Sequence, residues 1–453
     1  MSTIFGTDGV RGVANRDLTA ELAFKLGRAG AHVLARGNGR GPVVIGRDTR
    51  ISGDMLEAAL KAGILSAGMD VLDAGVLPTP GVAFLTRELG AVAGAVISAS
   101  HNPVEDNGIK FFGASGYKLS DELEEEISGL VTNSLAGVAS PEGGSLGRVY
   151  RVEDAVARYV DYAAARVPVP ACGLKVVVDC ANGAAFQAAP AVLNRFLRGV
   201  TAINDRPDGV NINHRCGSTH PEELCRTVVD AGADLGFALD GDADRVLACD
   251  SRGRLVDGDR IMYLLARYFR DKGLLALDTV VVTVMSNLGL HLALRQDGFA
   301  VRETKVGDRY VLEDLLHSGA RFGGEQSGHI IHLDFNTTGD GILTMLHILK
   351  AVAGFGQPLD ALVAGMEQLP QMMENVSVAD KAAVMASGIL AAAVERQEKV
   401  LAGQGRVLVR PSGTEPLVRV MAEARDEALM RRVVAELVAV VKDADREVVR
   451  AGR

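Results

Sequence analysis

The stretch PVVIGRDTRISGDMLEAALKAGILSAGMDVLDA, residues 42–74, decides the fold class of this chain. Its apolar run 42–46 predicts a strand, because branched aliphatic side chains pack well on a pleated surface. Ser52 can cap the helix that follows, whose apolar residues recur at helical spacing until the segment 63–68 ends it. A second strand is predicted at 70–74. This βαβ order indicates an α/β fold built on parallel sheets with helices on both faces.

The composition is typical of a soluble α/β protein with several domains. The 453 residues are too many for one core, and 52 glycines suit many tight turns between strands and helices. No apolar stretch approaches the roughly 20 residues of a membrane helix, and residues 1–6 lack the pattern of a secretory signal. The net charge of −9, with no basic tract, disfavours nucleic acid. We therefore expect a cytoplasmic protein that binds neither membrane nor nucleic acid.

The cysteines show no spacing typical of a zinc site or a disulfide framework. Their number is odd, and none of them forms a CxxC pair. We expect reduced, mostly packed thiols, in agreement with a cytoplasmic location. The five residues are Cys172, Cys180, Cys216, Cys225 and Cys249.

Changes in composition and a weak internal repeat divide the chain into domains. A Gly/Ser/Pro-rich segment at 134–147 predicts a linker. Three parts of the chain each contain a helix, a glycine turn, a short strand and a polar loop in this order, and the last part of the chain lacks the pattern. Because ligands bind at the carboxyl ends of parallel strands, the three polar loops are expected to converge on one cleft. The predicted domains are 1–150, 151–255, 256–369 and 370–453.

The first polar loop, ISASHNP at 97–103, presents a serine on a constrained turn. Pro103 prevents the chain from continuing smoothly as strand or helix. A hydroxyl on such a turn is held by the backbone, which suits a nucleophile. The alternative is a plain Ser/Asn-rich turn that closes a strand.

The second polar loop carries Asp240, Asp242 and Asp244 at alternate positions directly after an apolar run. Three carboxylates on a short loop suit Mg²⁺, which prefers oxygen ligands. An EF-hand is excluded because Arg245 stands where that loop needs glycine. A solvated acidic turn is the alternative, but crowding three carboxylates without a cation is repulsive. We predict a Mg²⁺ site whose open side takes an oxyanion, which a phosphorylated Ser100 would supply.

Two further polar loops suit a phosphorylated sugar. Glu325 and Ser327, in the glycine-rich loop 323–329, form a pair suited to neighbouring sugar hydroxyls. The loop RPSGTEP at 410–416 combines guanidinium groups, hydroxyls and a glycine, which is the chemistry of a phosphate cradle. An ordinary turn is the alternative for each loop. The predicted phosphate ligands are Arg410, Ser412, Gly413, Thr414 and Arg419.

Cationic side chains near the serine complete the predicted site. Lys110 lies on an apolar run that returns from the serine turn, and Arg11 lies on a glycine-rich loop. Transfer of a phosphoryl group needs cations around its equatorial oxygens, although a lone lysine is more often solvated. His101, His329 and Lys110 can each carry a proton, and the sequence does not choose among them.

Four motifs, at 98–103, 240–245, 324–329 and 410–416, resemble those of the α-D-phosphohexomutase family, in the family's order. The resemblance covers essentially the whole chain. It implies three related α/β domains and a C-terminal TBP-like α+β domain around one cleft.

The resemblance also implies roles for individual residues. Ser100, rather than Ser98, matches the serine that must be phosphorylated for activity. Its phosphate and the three aspartates of the acidic loop match the ligands of one Mg²⁺ ion per subunit. Glu325 and Ser327 match residues that read sugar hydroxyls, and the loop 410–416 matches the site of the non-reacting phosphate.

The segments 5–12, 106–112 and 325–329 look most like the bacterial branch of this family that acts on amino sugars. That branch implies interconversion of glucosamine 6-phosphate and glucosamine 1-phosphate through a 1,6-bisphosphate, feeding UDP-N-acetylglucosamine and cell-wall precursor synthesis. The alternatives are a mannose- or glucose-phosphate mutase, a phosphatase with Asp240 as nucleophile, and a non-catalytic sugar-phosphate-binding protein. A homodimer is compatible with the sequence, which does not establish it.

Overall fold

The computed structural model describes residues 4–6, 8–38, 41–170, 173–412 and 415–451. The chain forms two compact units. The first comprises Met1–Met285 and Gly298–Ala364, and the second comprises Ser286–Asp297 and Gly365–Arg453.

The first unit begins with a six-stranded sheet. Its elements are β1 (Val10–Val13), α1 (Ala20–Asn38), β2 (Val43–Arg47), α2 (Ser52–Ser66), β3 (Val71–Val76), α3 (Thr79–Glu88), β4 (Ala93–Ile97), β5 (Asp106–Gly113), α4 (Asp121–Thr132) and β6 (Val149–Arg151). The strand order is β1-β5-β4-β2-β3-β6, in which β2 pairs in parallel with β3 and β4. The βαβ unit predicted from 42–74 is therefore confirmed.

The predicted capping role of Ser52 is wrong. Ser52 is the first residue of α2, Ile51 occupies the capping position, and no side chain caps the helix. The Ser52 hydroxyl instead accepts a hydrogen bond from Asn107 Nδ2 at 2.9 Å, so it ties the helix start to β5.

A second, five-stranded sheet follows in the same unit. Its elements are α5 (Ala155–Arg166), β7 (Lys175–Asp179), α6 (Ala188–Leu193), β8 (Gly199–Ile203), α7 (Glu222–Asp230), β9 (Leu235–Leu239), β10 (Val246–Asp250) and β11 (Leu255–Val256). The order is β11-β10-β9-β7-β8, with β7 parallel to both β8 and β9.

The third sheet has four strands in the order β13-β12-β14-β15. The elements of this part of the chain are α8 (Gly258–Asp271), β12 (Thr279–Thr283), α9 (Leu288–Gln296), β13 (Ala300–Thr304), α10 (Asp308–Ser318), β14 (Phe322–Gly324), β15 (Ile330–His332), α11 (Gly341–Phe355) and α12 (Leu359–Val363). Helix α9 belongs to the second compact unit, and the other elements belong to the first.

The predicted repeat is visible as three strands that each lead into a polar loop. Strand β4 leads to the serine loop, β9 to the acidic loop and β14 to the loop with Glu325. All three strands are buried along their whole length, as expected for near-continuous apolar runs inside parallel sheets. The loops therefore emerge at the carboxyl ends of inner strands.

The second unit contains a three-stranded antiparallel sheet with the order β16-β18-β17. Its remaining elements are β16 (Gln371–Ser377), α13 (Lys381–Met385), α14 (Gly388–Leu401), β17 (Gly405–Pro411), β18 (Leu417–Ala424) and α15 (Glu427–Ala451). Apolar residues of the sheet, of α14 and of α15 form one core. The predicted fold class, three related α/β domains followed by an α+β domain, is confirmed.

The predicted domain limits stay predictions. The limits at 150 and 255 fall within β6 and β11, and each of these strands pairs with the sheet that precedes it in the chain. Cys180, Cys216, Cys225 and Cys249 are free thiols, and Cys172 lies outside the described residues. Among the described helices, none has both the length and the apolar character needed to cross a membrane.

We predict that two buried histidines make the folded protein less stable in acid. His332 and His347 pack against Phe269 and Phe335, and burial lowers the pKa of His332 from 6.5 to about 4 and keeps that of His347 well below 6.5. The unfolded chain binds protons that the folded chain excludes, so their contribution is complete above about pH 6.5 and is lost as the pH falls. For His332 alone the loss at pH 5 is about 2 kcal/mol.

The expected result is a smaller fall in Tm between about pH 7.5 and pH 5 in the double variant His332→Phe/His347→Leu than in the unmodified protein. Thermal unfolding followed by circular dichroism measures this difference. His220→Gln, which changes an exposed histidine, is the control and should keep the original fall. Equal falls in the double variant and the unmodified protein would contradict the prediction.

Candidate active site

The serine turn brings the predicted nucleophile against the acidic loop. Ser100 lies three residues beyond β4 and is 1 % exposed. Its hydroxyl donates a hydrogen bond of 2.5 Å to Asp240 Oδ2, and its backbone N–H donates to Ser98 Oγ at 2.9 Å. The Ser100 side chain, and not that of Ser98, therefore faces the carboxylates.

The three aspartates form one buried cluster. Each of Asp240, Asp242 and Asp244 offers a carboxylate oxygen, and these oxygens lie within 4.8 Å of one another. The Oδ1 atoms of Asp242 and Asp244 are buried without a hydrogen-bond partner. Burying a carboxylate oxygen with no partner is costly, and hard oxygen ligands are those that Mg²⁺ prefers. The residues present therefore fit a divalent cation.

Gly241 lets the serine turn approach this closely. A Cβ atom at position 241 would lie 2.5 Å from the Ser100 carbonyl oxygen, closer than non-bonded atoms come. The glycine between two aspartates is thus a requirement of the contact between the first and second polar loops.

The charges of the cluster are distributed unequally. Burial, together with the charges of Asp244 and Asp242, raises the pKa of Asp240 well above its ordinary value. Burial also disfavours the charged form of Asp244, but the charges of His329 and Lys110 hold its pKa well below the usual range. Asp244, which lies beside His329 and Lys110, therefore ionises more readily than Asp240.

Lys110 is the nearest cation. Its Nζ lies 3.1 Å from an oxygen of Asp8, 3.3 Å from Asp242 Oδ2 and 3.7 Å from Asp244 Oδ2. Burial alone would lower the pKa of Lys110, but the charges of Asp242 and Asp8 raise it, so Lys110 stays protonated. Arg11 pairs with Asp8 and directs Nη1 toward the Ala99 carbonyl at 3.4 Å. Arg11 therefore lies beside the serine turn, and Lys110 lies beside the acidic loop that Ser100 contacts.

The third polar loop is attached to the acidic loop. Arg245 and His329 form an antiparallel bridge, and Val246 N donates to the Gly328 carbonyl at 3.1 Å. Glu325 Oε1 accepts a hydrogen bond from Gly307 N at 3.0 Å, and Ser327 Oγ lies 3.4 Å from Glu325 Oε2. Glu325 and Ser327, which are predicted to bind sugar hydroxyls, therefore lie next to each other.

The structure distinguishes the three candidate proton carriers. His101 Nδ1 lies 3.4 Å from Ser100 Oγ, and burial with the charges of Arg245 and Arg11 lowers the pKa of His101 to about 4. Burial would lower the pKa of His329, but the charges of Asp244 and Asp308 raise it to about 9. At neutral pH His101 is uncharged, whereas His329 and Lys110 are cations.

The C-terminal loop belongs to the second compact unit. Arg410 on β17 faces Arg419 on β18, and burial with the charge of Arg419 lowers the pKa of Arg410. The Nε atoms of both arginines are buried without a hydrogen-bond partner, which fits an anion. Ser412 N donates to the Leu417 carbonyl at 2.9 Å. The predicted ligands Gly413 and Thr414 lie outside the described residues.

Several residues that contact the predicted ones were not predicted from the sequence. Thr79 Oγ1 donates to Asp242 Oδ2 at 2.7 Å, and Asp8 lies between Lys110 and Lys118. Arg50 and Asn213 both donate to the Ser100 carbonyl. Arg50 and Thr79 follow β2 and β3 directly, so the pattern that identified Ser100, polar residues after a strand, was also present there.

This combination of three α/β sheets, a separate α+β unit and a serine facing three aspartates agrees with the sequence profiles that the chain matches. They are described as phosphoglucomutase/phosphomannomutase, alpha/beta/alpha domain I at residues 2–136, domain II at 157–253, domain III at 257–369, and C-terminal domain at 373–440. The chain belongs to the phosphoglucomutase/phosphomannomutase family, and the predicted family and enzyme class, an isomerase, are confirmed.

Three individual proteins match this chain over nearly its whole length. The chain is 65 % identical over 445 residues to the phosphoglucosamine mutase of Pelotomaculum thermopropionicum, covering 98 % of this chain and 100 % of that protein. It is 62 % identical to the phosphoglucosamine mutase of Desulforamulus reducens, covering 97 % and 99 %. A crystal structure of a phosphoglucomutase/phosphomannomutase family protein from Burkholderia thailandensis matches with a TM-score of 0.83 at 25 % identity, covering 97 % of each chain.

Proposed function

We propose that this chain is a phosphoglucosamine mutase that interconverts glucosamine 6-phosphate and glucosamine 1-phosphate in the cytoplasm. The observation that carries the proposal is the 2.5 Å contact between Ser100 Oγ and Asp240 inside a buried aspartate cluster. The name shared by relatives of 62–65 % identity over nearly the whole chain supports the choice of an amino-sugar substrate.

The proposed reaction has two phosphoryl transfers in opposite directions. In the first, the bond between Ser100 Oγ and phosphorus breaks, and the free hydroxyl oxygen of the sugar phosphate binds that phosphorus. The sugar hydroxyl loses its proton in this step, and the released Ser100 Oγ takes up a proton to become a hydroxyl. The product is a 1,6-bisphosphate, which turns end for end. In the second, Ser100 Oγ loses that proton as it takes the other phosphoryl group, and the sugar oxygen that is released recovers a proton. Phosphorylation of Ser100 is thus both required at the start and restored at the end.

Three groups of this chain act directly on the transfer in this proposal. Arg11 places positive charge beside the serine turn and Lys110 places it beside the acidic loop, where charge on the transferring phosphoryl oxygens needs stabilisation. His101 is uncharged and 3.4 Å from Ser100 Oγ, so it takes the proton that the sugar hydroxyl loses and gives it to Ser100 Oγ, and it moves a proton in the opposite direction in the second transfer. His329 is protonated and buried against Asp244, which suits orientation of that carboxylate rather than proton abstraction.

A magnesium ion is the metal that this donor set fits best. Asp240, Asp242 and Asp244 would hold it together with the Ser100 phosphate. When bound, Mg²⁺ supplies charge neutralisation at the phosphoryl oxygens. Glu325 and Ser327 are proposed to read sugar hydroxyls, and Arg410, Ser412 and Arg419, with Gly413 and Thr414, to hold the phosphate that does not react.

The substrate preference tests the function. We expect kcat/KM for glucosamine 6-phosphate to exceed that for mannose 1-phosphate and glucose 1-phosphate by at least about 10-fold. The reason is that a site that binds the amino group of glucosamine loses this contact with sugars that lack the group. Initial rates with purified, phosphorylated enzyme and Mg²⁺ measure the three values. A higher kcat/KM for mannose 1-phosphate would contradict the amino-sugar assignment while leaving the family unchanged.

A further inference from the structure

Ser100 adopts a backbone conformation that is unfavourable for a residue with a side chain. Its φ of 53° lies in the left-handed region, where the Cβ atom of a residue with a side chain crowds the following carbonyl oxygen. Because this conformation directs the hydroxyl at Asp240, the contacts that hold the backbone of Ser100 also set the position of its Oγ atom.

Arg50 contacts the serine turn at three carbonyl oxygens, including that of Ser100. Its side chain is completely buried, and its Nη2 donates to the carbonyl oxygens of Ser100 at 3.0 Å and Asn102 at 2.8 Å. Its Nη1 donates to the Pro103 carbonyl. Its Nε donates to Asp48 Oδ2 at 2.9 Å, which balances the buried charge. One guanidinium group thus binds three carbonyls of the serine turn.

Asp48 extends the same network to the other side of Ser100. Asp48 Oδ2 accepts a hydrogen bond from Ser98 Oγ at 2.6 Å, and Ser98 Oγ accepts one from Ser100 N at 2.9 Å. The N–H and the carbonyl of Ser100 are therefore both fixed by groups that lead back to Arg50.

A second donor reaches the turn from the loop between β8 and α7. Asn213 Nδ2 donates to the carbonyl oxygens of Ser100 at 2.8 Å and Asn102 at 3.1 Å. Asn213 is itself fixed through its backbone N–H, which donates to the Ala181 carbonyl at 2.9 Å. The Ser100 carbonyl therefore accepts hydrogen bonds from two loops that are far apart in sequence.

We propose that Arg50 is a positioning residue for phosphoryl transfer, with Asn213, on the loop between β8 and α7, as its counterpart. Both act through the Ser100 carbonyl, hold the left-handed turn and so keep Oγ in line with the phosphorus atom it attacks. This inference rests on the proposed function, because it requires Ser100 to carry the phosphoryl group. Lysine cannot replace Arg50, since a single ammonium lacks the planar fork that reaches Asp48 and three carbonyls together.

The first test is Arg50→Lys, which keeps the charge. Because a displacement of about 1 Å can cost about 10²-fold in rate, we expect kcat to fall about 10²-fold with KM changed less than about 3-fold. The phosphorus NMR signal of the phosphoserine should also shift in protein that circular dichroism shows to be folded, which separates a displacement of Ser100 from a loss of folded protein. Arg47→Lys is the matched control, because Arg47 pairs with Asp54 and Glu57 instead of the serine turn, and should behave as the unmodified enzyme.

The second test is Asn213→Gly, which removes the side chain and tolerates the φ of 56° at this position. It applies even where Arg50→Lys does not fold. We expect a lower kcat, and in the double variant a loss smaller than the product of the two single losses, because both donors serve one carbonyl. Unchanged kcat in either folded variant, a loss confined to KM, or fully multiplicative losses would overturn the proposal. Inactivity of the unmodified enzyme on hexosamine phosphates would instead overturn the proposed function.

Discussion

Replacing Ser100 by alanine is expected to abolish turnover while the protein stays folded. No other hydroxyl in the described residues donates to the aspartate cluster from the serine turn, and without Oγ the phosphoryl group has no carrier. We expect kcat to fall by at least about 10⁴-fold, as is typical when a nucleophile is removed. Initial rates with glucosamine 6-phosphate, together with circular dichroism and thermal unfolding, measure both parts of this prediction.

Ser98→Ala is the matched control for this experiment. Ser98 Oγ orients the Ser100 N–H and Asp48 without facing the aspartate cluster, so its loss should reduce kcat only in part. If Ser100→Ala retained a near-normal rate, or if Ser98→Ala were the inactive variant, the assignment of Ser100 as the phosphoryl carrier would be wrong.

Replacing Asp242 by asparagine is expected to remove the effect of Mg²⁺ on stability and activity. Asp242 Oδ1 is buried without a hydrogen-bond partner, so a cation is the group that can satisfy it. In the unmodified protein Tm should rise with Mg²⁺ concentration, because a ligand that binds only the folded state stabilises it. In Asp242→Asn this rise should disappear, and kcat should fall about 10²-fold or more. Thermal unfolding across a Mg²⁺ titration, and rates before and after EDTA treatment, measure these effects.

Asp250→Asn provides the comparison for the metal experiment. Asp250 is also buried on the second sheet, but its carboxylate is bound by Arg254 and by backbone N–H groups of 252 and 254. This variant should keep the Mg²⁺-dependent rise in Tm. A normal rise in Asp242→Asn would show that the cluster is not the metal site.

The fold and the main site residues could be predicted because their signals are local. The strands β2 and β3 are short apolar runs with a helical repeat between them, and the aspartates at 240–244 follow one another on a single loop. Chemistry that is contained within about ten residues of sequence can be recognised there. The choice of Ser100 over Ser98, in contrast, needed the family resemblance, and the structure explains it by the left-handed turn that directs only one hydroxyl to Asp240.

The contacts that hold the serine turn could not be predicted because they join distant parts of the chain. Arg50 and Ser100 are 50 residues apart, and Asn213 is 113 residues from Ser100. A buried arginine two residues after an aspartate in sequence resembles any surface ion pair until its burial is known. The charge states of His101 and His329 were equally out of reach, because charged neighbours from distant parts of the chain leave the pKa of His101 lowered and that of His329 raised.

The most direct test of the central claim is to find which residue carries the phosphoryl group. The enzyme is incubated with radiolabelled glucosamine 1,6-bisphosphate, digested in acid and analysed by peptide mapping. We predict an acid-stable label on Ser100 in the peptide that contains residues 97–103, and its release on addition of unlabelled glucosamine 6-phosphate. A label that is lost in acid and that depends on Asp240, as an acyl phosphate would be, or the absence of any label, would contradict the account.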